Sequence, residues 1–139
     1  MTKVSMSLDL EVPAATVWKT IGGFDAVPDW HPGVTRSRVD GLGEGSLRTL
    51  VLAMGATMEE RLDHLDDAAR TYSYSMVRGP LPMADYSATL TARERDGGGC
   101  TIQWDSSFEP AGVSESEAVK IVEAIHQAGF DNLKRMFGA

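Results

Sequence analysis

The chain has 139 residues and a formal net charge of −7, from 20 acidic against 13 basic side chains. That length suits one domain, 1–139, with a real core and volume to spare for a cavity, and the acidic balance argues against nucleic acid, which needs clustered Lys and Arg. One cysteine, Cys100, excludes an intrachain disulfide framework and suits a reducing compartment; no apolar run spans a bilayer and MTKVSMSLDLEV is no export segment, so a cytoplasmic location without a membrane partner is expected.

Met6, Leu8, Leu10 and Val12 alternate with Ser5, Ser7, Asp9 and Glu11, the pattern of a half-buried strand. Pro13 then opens a short helix to Ile21, with Val17, Trp18 and Ile21 as its apolar contacts, and Gly22-Gly23 ends it. Phe24 to Pro32 is a second short helical or turn segment, interrupted by Pro28 and Pro32.

From Val34 the pattern changes to period two. It predicts strands at Val34–Val39, Ser46–Leu52, Thr57–Leu65, Thr71–Arg78, Ala84–Arg95 and Cys100–Glu109, joined by short connectors with turn chemistry. Short connections between successive strands favour an antiparallel meander.

The last element is one long helix from Ser114 to Phe137. Ser114 and Glu117 form a capping-box start. Ala118, Ile121, Val122, Ile125, Ala128, Leu133 and Met136 recur near the helical period, with Val119, Phe130 and Phe137 widening the stripe. At about 1.5 Å per residue the helix runs roughly 36 Å, enough to cross a broad sheet. Gly129 lies within that stripe, either for close backbone packing or to leave room for a ligand.

An antiparallel sheet with one solvated face must bury the other, and only the terminal helix is long enough to cover it. The expected fold is α+β: a curved seven-stranded antiparallel sheet wrapped around the C-terminal helix, with two short helices after the first strand. Such a helix-grip arrangement can leave a hollow between helix and sheet.

This order resembles the START-like (SRPBCC) superfamily of polyketide cyclases, birch-pollen-allergen-like proteins and plant abscisic-acid receptors. The specific match is Glu60-Arg61-Leu62-Asp63-His64-Leu65-Asp66-Asp67 with Arg70, similar to the ERLD-x-LDD…R stretch of the receptors. Tyr86 and the helix over Gly112–Leu133 fall in step with it. Trp30-His31-Pro32 and Gly79-Pro80-Leu81-Pro82 look more like the bacterial polyketide cyclase/dehydrase branch. The receptors' Ser-Gly-Leu-Pro-Ala gate corresponds to Ala53-Met54-Gly55-Ala56, and their His-Arg latch pair to Leu81-Pro82. The cation that meets the hormone carboxylate corresponds to Thr35. The resemblance therefore implies a cavity with two loops at its mouth, without abscisic acid recognition.

Alternation puts Met58, Glu60 and Leu62 on the concave face. Glu60 there would bind a polar ligand atom or water, or act as a general acid or base; otherwise it is solvated at the mouth or pairs with an internal Arg. The resemblance favours the cavity, as it does for Tyr86. Tyr72, Tyr74 and Met76 share one face of the next strand, as ligand contacts or as plain core. In the last strand, alternation turns Ile102, Trp104 and Phe108 inward and Asp105 outward. The resemblance instead turns Asp105 into the cavity, which a bulge at Ser106 and Ser107 would permit.

His31, near the entrance, is either a general base or a surface or capping residue. His64 and His126 stand far from it in sequence, so no metal site is expected. Cys100 lacks a partner motif for a nucleophile, and no cofactor fingerprint is present. Met54, Leu81 and Met83 would form a lid covered by ligand or by a partner, unless the hairpin tip folds onto its own core. The residues expected at the ligand are Trp30, Met54, Met58, Glu60, Tyr72, Tyr74, Met76, Leu81, Met83, Tyr86, Asp105, Ile121, Ile125 and Gly129.

The leading reading is a binding module for a hydrophobic or amphipathic small molecule. The alternative is a cyclase- or dehydratase-like enzyme in which Glu60 or His31 moves a proton while Tyr86 steadies an oxyanion. A partner-binding role along the lid edge, and a homodimer, stay open.

Overall fold

A computed structural model describes residues 1–138. Its elements are β1 (Thr2–Leu10), α1 (Ala14–Ile21), α2 (Val27–Trp30), β2 (Val34–Asp40), β3 (Leu47–Leu52), β4 (Thr57–Asp66), β5 (Thr71–Arg78), β6 (Met83–Glu94), β7 (Cys100–Pro110) and α3 (Glu115–Phe137). Strands β2 to β7 pair in sequence, and β1 closes the far edge beside β7, giving the order β1-β7-β6-β5-β4-β3-β2 with every pair antiparallel.

The first strand starts three residues before and ends two residues before the stretch its hydrophobic alternation indicates. Thr2 to Ser5 pair with Phe108 to Asp105, so the polar start of the chain is held by ladder hydrogen bonds and by burial of Val4. Pro13 takes the N-cap of α1, and the Ala14 N–H finds its acceptor in Glu94 Oε1 at 2.7 Å. Register shifts interrupt β4 at Glu59/Glu60 and at Leu62/His64, and β6 between Ala84 and Ser87, where Asp85 has φ 52°. Such irregularities bend a strand and increase its twist, which is what a sheet wrapping a helix requires.

Helix α3 is set at both ends. Ser114 Oγ accepts the Glu117 N–H at 3.1 Å, and Gly138 closes the helix in the left-handed conformation with its N–H on the Lys134 carbonyl. The helix packs chiefly on β1, and to a smaller extent on β7 and α2. Ala118, Val122, His126, Gly129, Phe130 and Leu133 form its buried stripe.

Because α3 lies to one side, it cannot fill the whole concave face. Two apolar clusters result. The larger joins β1, β5–β7, α1 and α3 through residues such as Leu10, Ile21, Leu90, Ile102, Phe108, Val122 and Leu133. The smaller gathers Val27, Val34, Leu50 and Met58, at the junction of α2 with β2–β4. Between the two lies a hollow.

Candidate functional site

The hollow has a volume of about 420 Å³ and draws its walls from both clusters. This lies in the lower part of the range of about 300–1,000 Å³ typical of small-molecule pockets. Val27, Trp30 and Val34 form one side, Leu50, Leu52 and Met58 a second, and Tyr72, Tyr74, Tyr86, Leu90 and Trp104 the sheet wall. Ile121 and Ile125 project from the flank of α3, half-buried beside the deeper stripe. Among the lining residues only Arg48 and Glu60 carry side chains charged at neutral pH.

Arg48 and Glu60 are directly opposed on β3 and β4 and are 2 % and 3 % exposed. Glu60 Oε1 accepts from Arg48 Nε at 2.9 Å and lies 2.7 Å from Nη2. Arg48 Nη1 donates to the Phe24 carbonyl at 2.7 Å and to the Tyr72 hydroxyl at 3.3 Å. The guanidinium also stands 4.2 Å from the Phe24 ring centre and 4.6 Å from that of Tyr74. Burial pushes the Glu60 carboxyl above its usual range, and the charge and hydrogen bonds of Arg48 oppose that shift. Burial alone would lower the Arg48 pKa, but Tyr72, Glu60 and Tyr74 more than reverse it, so the guanidinium stays charged.

A second polar chain links the inner face of the sheet to α3. The Tyr86 hydroxyl lies 3.0 Å from Ser106 Oγ, which lies 2.9 Å from His126 Nε2. Trp104 Nε1 donates to the Tyr74 hydroxyl at 3.2 Å, and the Trp104 ring stacks on His126 at 4.3 Å between centres. Burial pushes Tyr86 up to about 12 and His126 down to about 4. His126 Nδ1 is buried without a partner among the described residues.

Of the residues expected at the ligand, Trp30, Met54, Met58, Glu60, Tyr72, Tyr74, Leu81, Tyr86, Ile121 and Ile125 line the hollow. Four do not. Asp105 stands on the outer face, bonded to Ser5 and Gln103, because β7 keeps strict alternation and turns Ser106 inward. The irregularity that would have rotated it lies on β6 instead. A Cβ on Gly129 would meet Trp30 at 2.8 Å, His31 at 2.9 Å and Trp104 at 3.1 Å, so the glycine serves close packing and leaves no ligand space. Met83 is buried in the larger cluster, not displayed on a lid. Met76 packs between the two clusters behind the lining.

His31 borders the hollow, but both ring nitrogens are engaged. Nδ1 accepts the Gly33 N–H at 3.0 Å, so Nε2 carries the proton and donates to the Ile125 carbonyl at 2.7 Å. Burial lowers its pKa, with the Ile125 bond opposing. This is a brace between the α2–β2 turn and α3, with no nitrogen free for proton transfer. At the mouth, Met54 is 78 % exposed on the β3–β4 turn and Leu81 is half-buried. Sequence reasoning did not single out Arg48, named Ser106 only for a bulge and weighed His126 only for a metal site.

Residues 1–138 match the family described as "Polyketide cyclase / dehydrase and lipid transport". The chain is 26% identical over 132 residues to abscisic acid receptor PYL7 of Arabidopsis thaliana, and 27% identical over 140 residues to PYL6 of the same plant. These alignments cover 89% and 92% of this chain but 63% and 65% of the receptors, so it spans less than two thirds of their length. The structure of XoxI from Bacillus cereus superposes with a TM-score of 0.94 at 30% identity, covering 99% of this chain and 96% of that one. A Bacillus thuringiensis protein gives 0.92 at 31% identity, with 98% of each chain covered. A START-like sheet gripping its last helix, matched over nearly every residue, makes this chain a member of the polyketide cyclase/dehydrase and lipid transport family.

Proposed function

We propose that this chain is a single ligand-binding domain that holds a hydrophobic or amphipathic small molecule in the hollow between sheet and α3. One observation carries the reading: the core is split into two apolar clusters by a space of about 420 Å³ walled by apolar and aromatic side chains. A protein interior ordinarily packs to crystal-like density, and each large void costs stability. A hollow of this size is the expected cost of a binding site. The relatives named as abscisic acid receptors, and the lipid transport in the family description, support small-molecule binding as a class. Native mass spectrometry of the purified protein tests the reading. A small molecule carried through purification and released on denaturation is the expected result.

A second reading rests on the chemistry at the sheet wall. Glu60 has one oxygen without a hydrogen bond among the described residues, and Tyr86 lines the same hollow. A carboxylate and a backed hydroxyl in a dry site could take a proton from carbon and steady the resulting oxyanion. Glu60→Gln separates the two: abolished turnover of a candidate substrate with nearly unchanged affinity favours catalysis, and a loss of affinity alone favours binding.

A further inference from the structure

The chemistry of the ligand follows from a donor count on Arg48. A guanidinium has five N–H groups. Nε and Nη2 each direct one at Glu60 Oε1, and both of those on Nη1 are engaged by the Phe24 carbonyl and the Tyr72 hydroxyl. One N–H on Nη2 remains. The paired fork by which arginine reads a carboxylate is therefore spent inside the protein. Its faces are closed by Phe24 and Tyr74, and its charge is matched by Glu60. The other basic side chain at the hollow, His31, is fixed with its single ring proton on the Ile125 carbonyl.

Glu60 is different. Its Oε1 takes both Arg48 contacts, while Oε2 takes no hydrogen bond among the described residues, and the residue lines the hollow. That oxygen is an open acceptor on the wall of the hollow. A ligand carboxylate there would meet a carboxylate oxygen with no free cation to offset it, and desolvating an unpaired charge is costly. A hydroxyl or amide N–H would instead complete the Glu60 pair.

We infer that the hollow selects an uncharged, largely apolar ligand whose polar end is a hydrogen-bond donor, read by Glu60 Oε2, and that it rejects carboxylates on the same framework. This rests on the binding reading above and narrows its ligand class. The Arg48–Glu60 pair acts as a charge filter: Glu60 neutralises the cation that would otherwise attract an acid, and keeps one oxygen for a neutral donor.

Calorimetric titration of the whole chain at neutral pH with 2-naphthol, 2-methoxynaphthalene and 2-naphthoate tests this. The three share one ring system and differ in donor and charge. A hydrogen bond to a charged acceptor should favour the naphthol over each of the others by about tenfold or more. Naphthoate bound as tightly as naphthol overturns the filter but leaves small-molecule binding standing. Binding of none of the three sinks the parent reading together with this one. Glu60→Gln releases the Arg48 charge, so naphthoate should now bind more tightly than naphthol; an unchanged order overturns the inference. Should that variant fold poorly, the double variant Arg48→Met/Glu60→Leu removes both charges. Naphthol and methoxynaphthalene should then bind alike, with naphthoate still held out by the cost of desolvating its charge, whereas a surviving preference for naphthol over methoxynaphthalene would place the selection elsewhere.

Discussion

Gly129 is the point at which α3 comes nearest the aromatic wall, with Trp30, His31 and Trp104 all inside the space a methyl group would need. Alanine should gain about 1 kcal/mol in helix propensity and lose about 1–3 kcal/mol to overpacking. Trp30 and Trp104 are ring carbons of rigid, buried side chains and His31 is pinned by two hydrogen bonds, so the clash should win. Gly129→Ala is expected to lower the urea midpoint and shift the tryptophan emission, since two indoles must move. Its role was open in the sequence because a glycine in an apolar stripe fits close contact and empty space equally well. Arg48 was hidden for another reason. A single Arg in a strand reads as solvent-facing until the β3–β4 register sets it opposite Glu60, and register is tertiary information. His126 did leave a trace: it lies four residues from both Val122 and Phe130, the spacing of one helix face.

Among the elements, β7 decides which of its polar groups face α3. Its pairing with β1 is continuous, so Ile102, Trp104, Ser106 and Phe108 share the inner face and Asp105 cannot. Asp105→Ala should therefore leave probe affinity unchanged and alter stability by no more than about 0.5 kcal/mol, as for an ordinary surface site. A clear loss of naphthol affinity in calorimetry would return Asp105 to the cavity. The strands and the long helix were legible because local signals agreed: period-two runs separated by turn residues, then a capped stripe of helical period. The first strand's start was not, since Thr2 and Lys3 carry no apolar signal and are held there by pairing with Phe108 and Ser107. The hollow itself has no sequence signal beyond the aromatic concave faces. Whether such faces meet or stand apart depends on how far α3 lies towards β1.

For the molecule as a whole, the buried polar chain behind Trp104 ties stability to pH. His126 is sealed under the sheet, with its pKa held down to about 4 by burial, while Asp105 raises it and His31 lowers it. In the unfolded chain the same ring titrates near 6.5. Between those values the unfolded state binds more protons than the folded one, so stability rises with pH and falls on acidification. From pH 7 to about pH 4.5 this single group should remove about 2 kcal/mol, at about 1.4 kcal/mol per unit of separation. His31 acts in the same direction, and carboxylates add their own terms, so the contribution must be read as a difference. His126→Phe keeps an aromatic ring against Trp104 but cannot titrate, at the cost of the Ser106 bond. Urea unfolding of both proteins at the two pH values should show the variant less stable at pH 7 yet with a shallower acid loss. Parallel slopes would mean that the ring protonates without penalty, which a histidine enclosed between Trp104 and Ser106 has no means of doing.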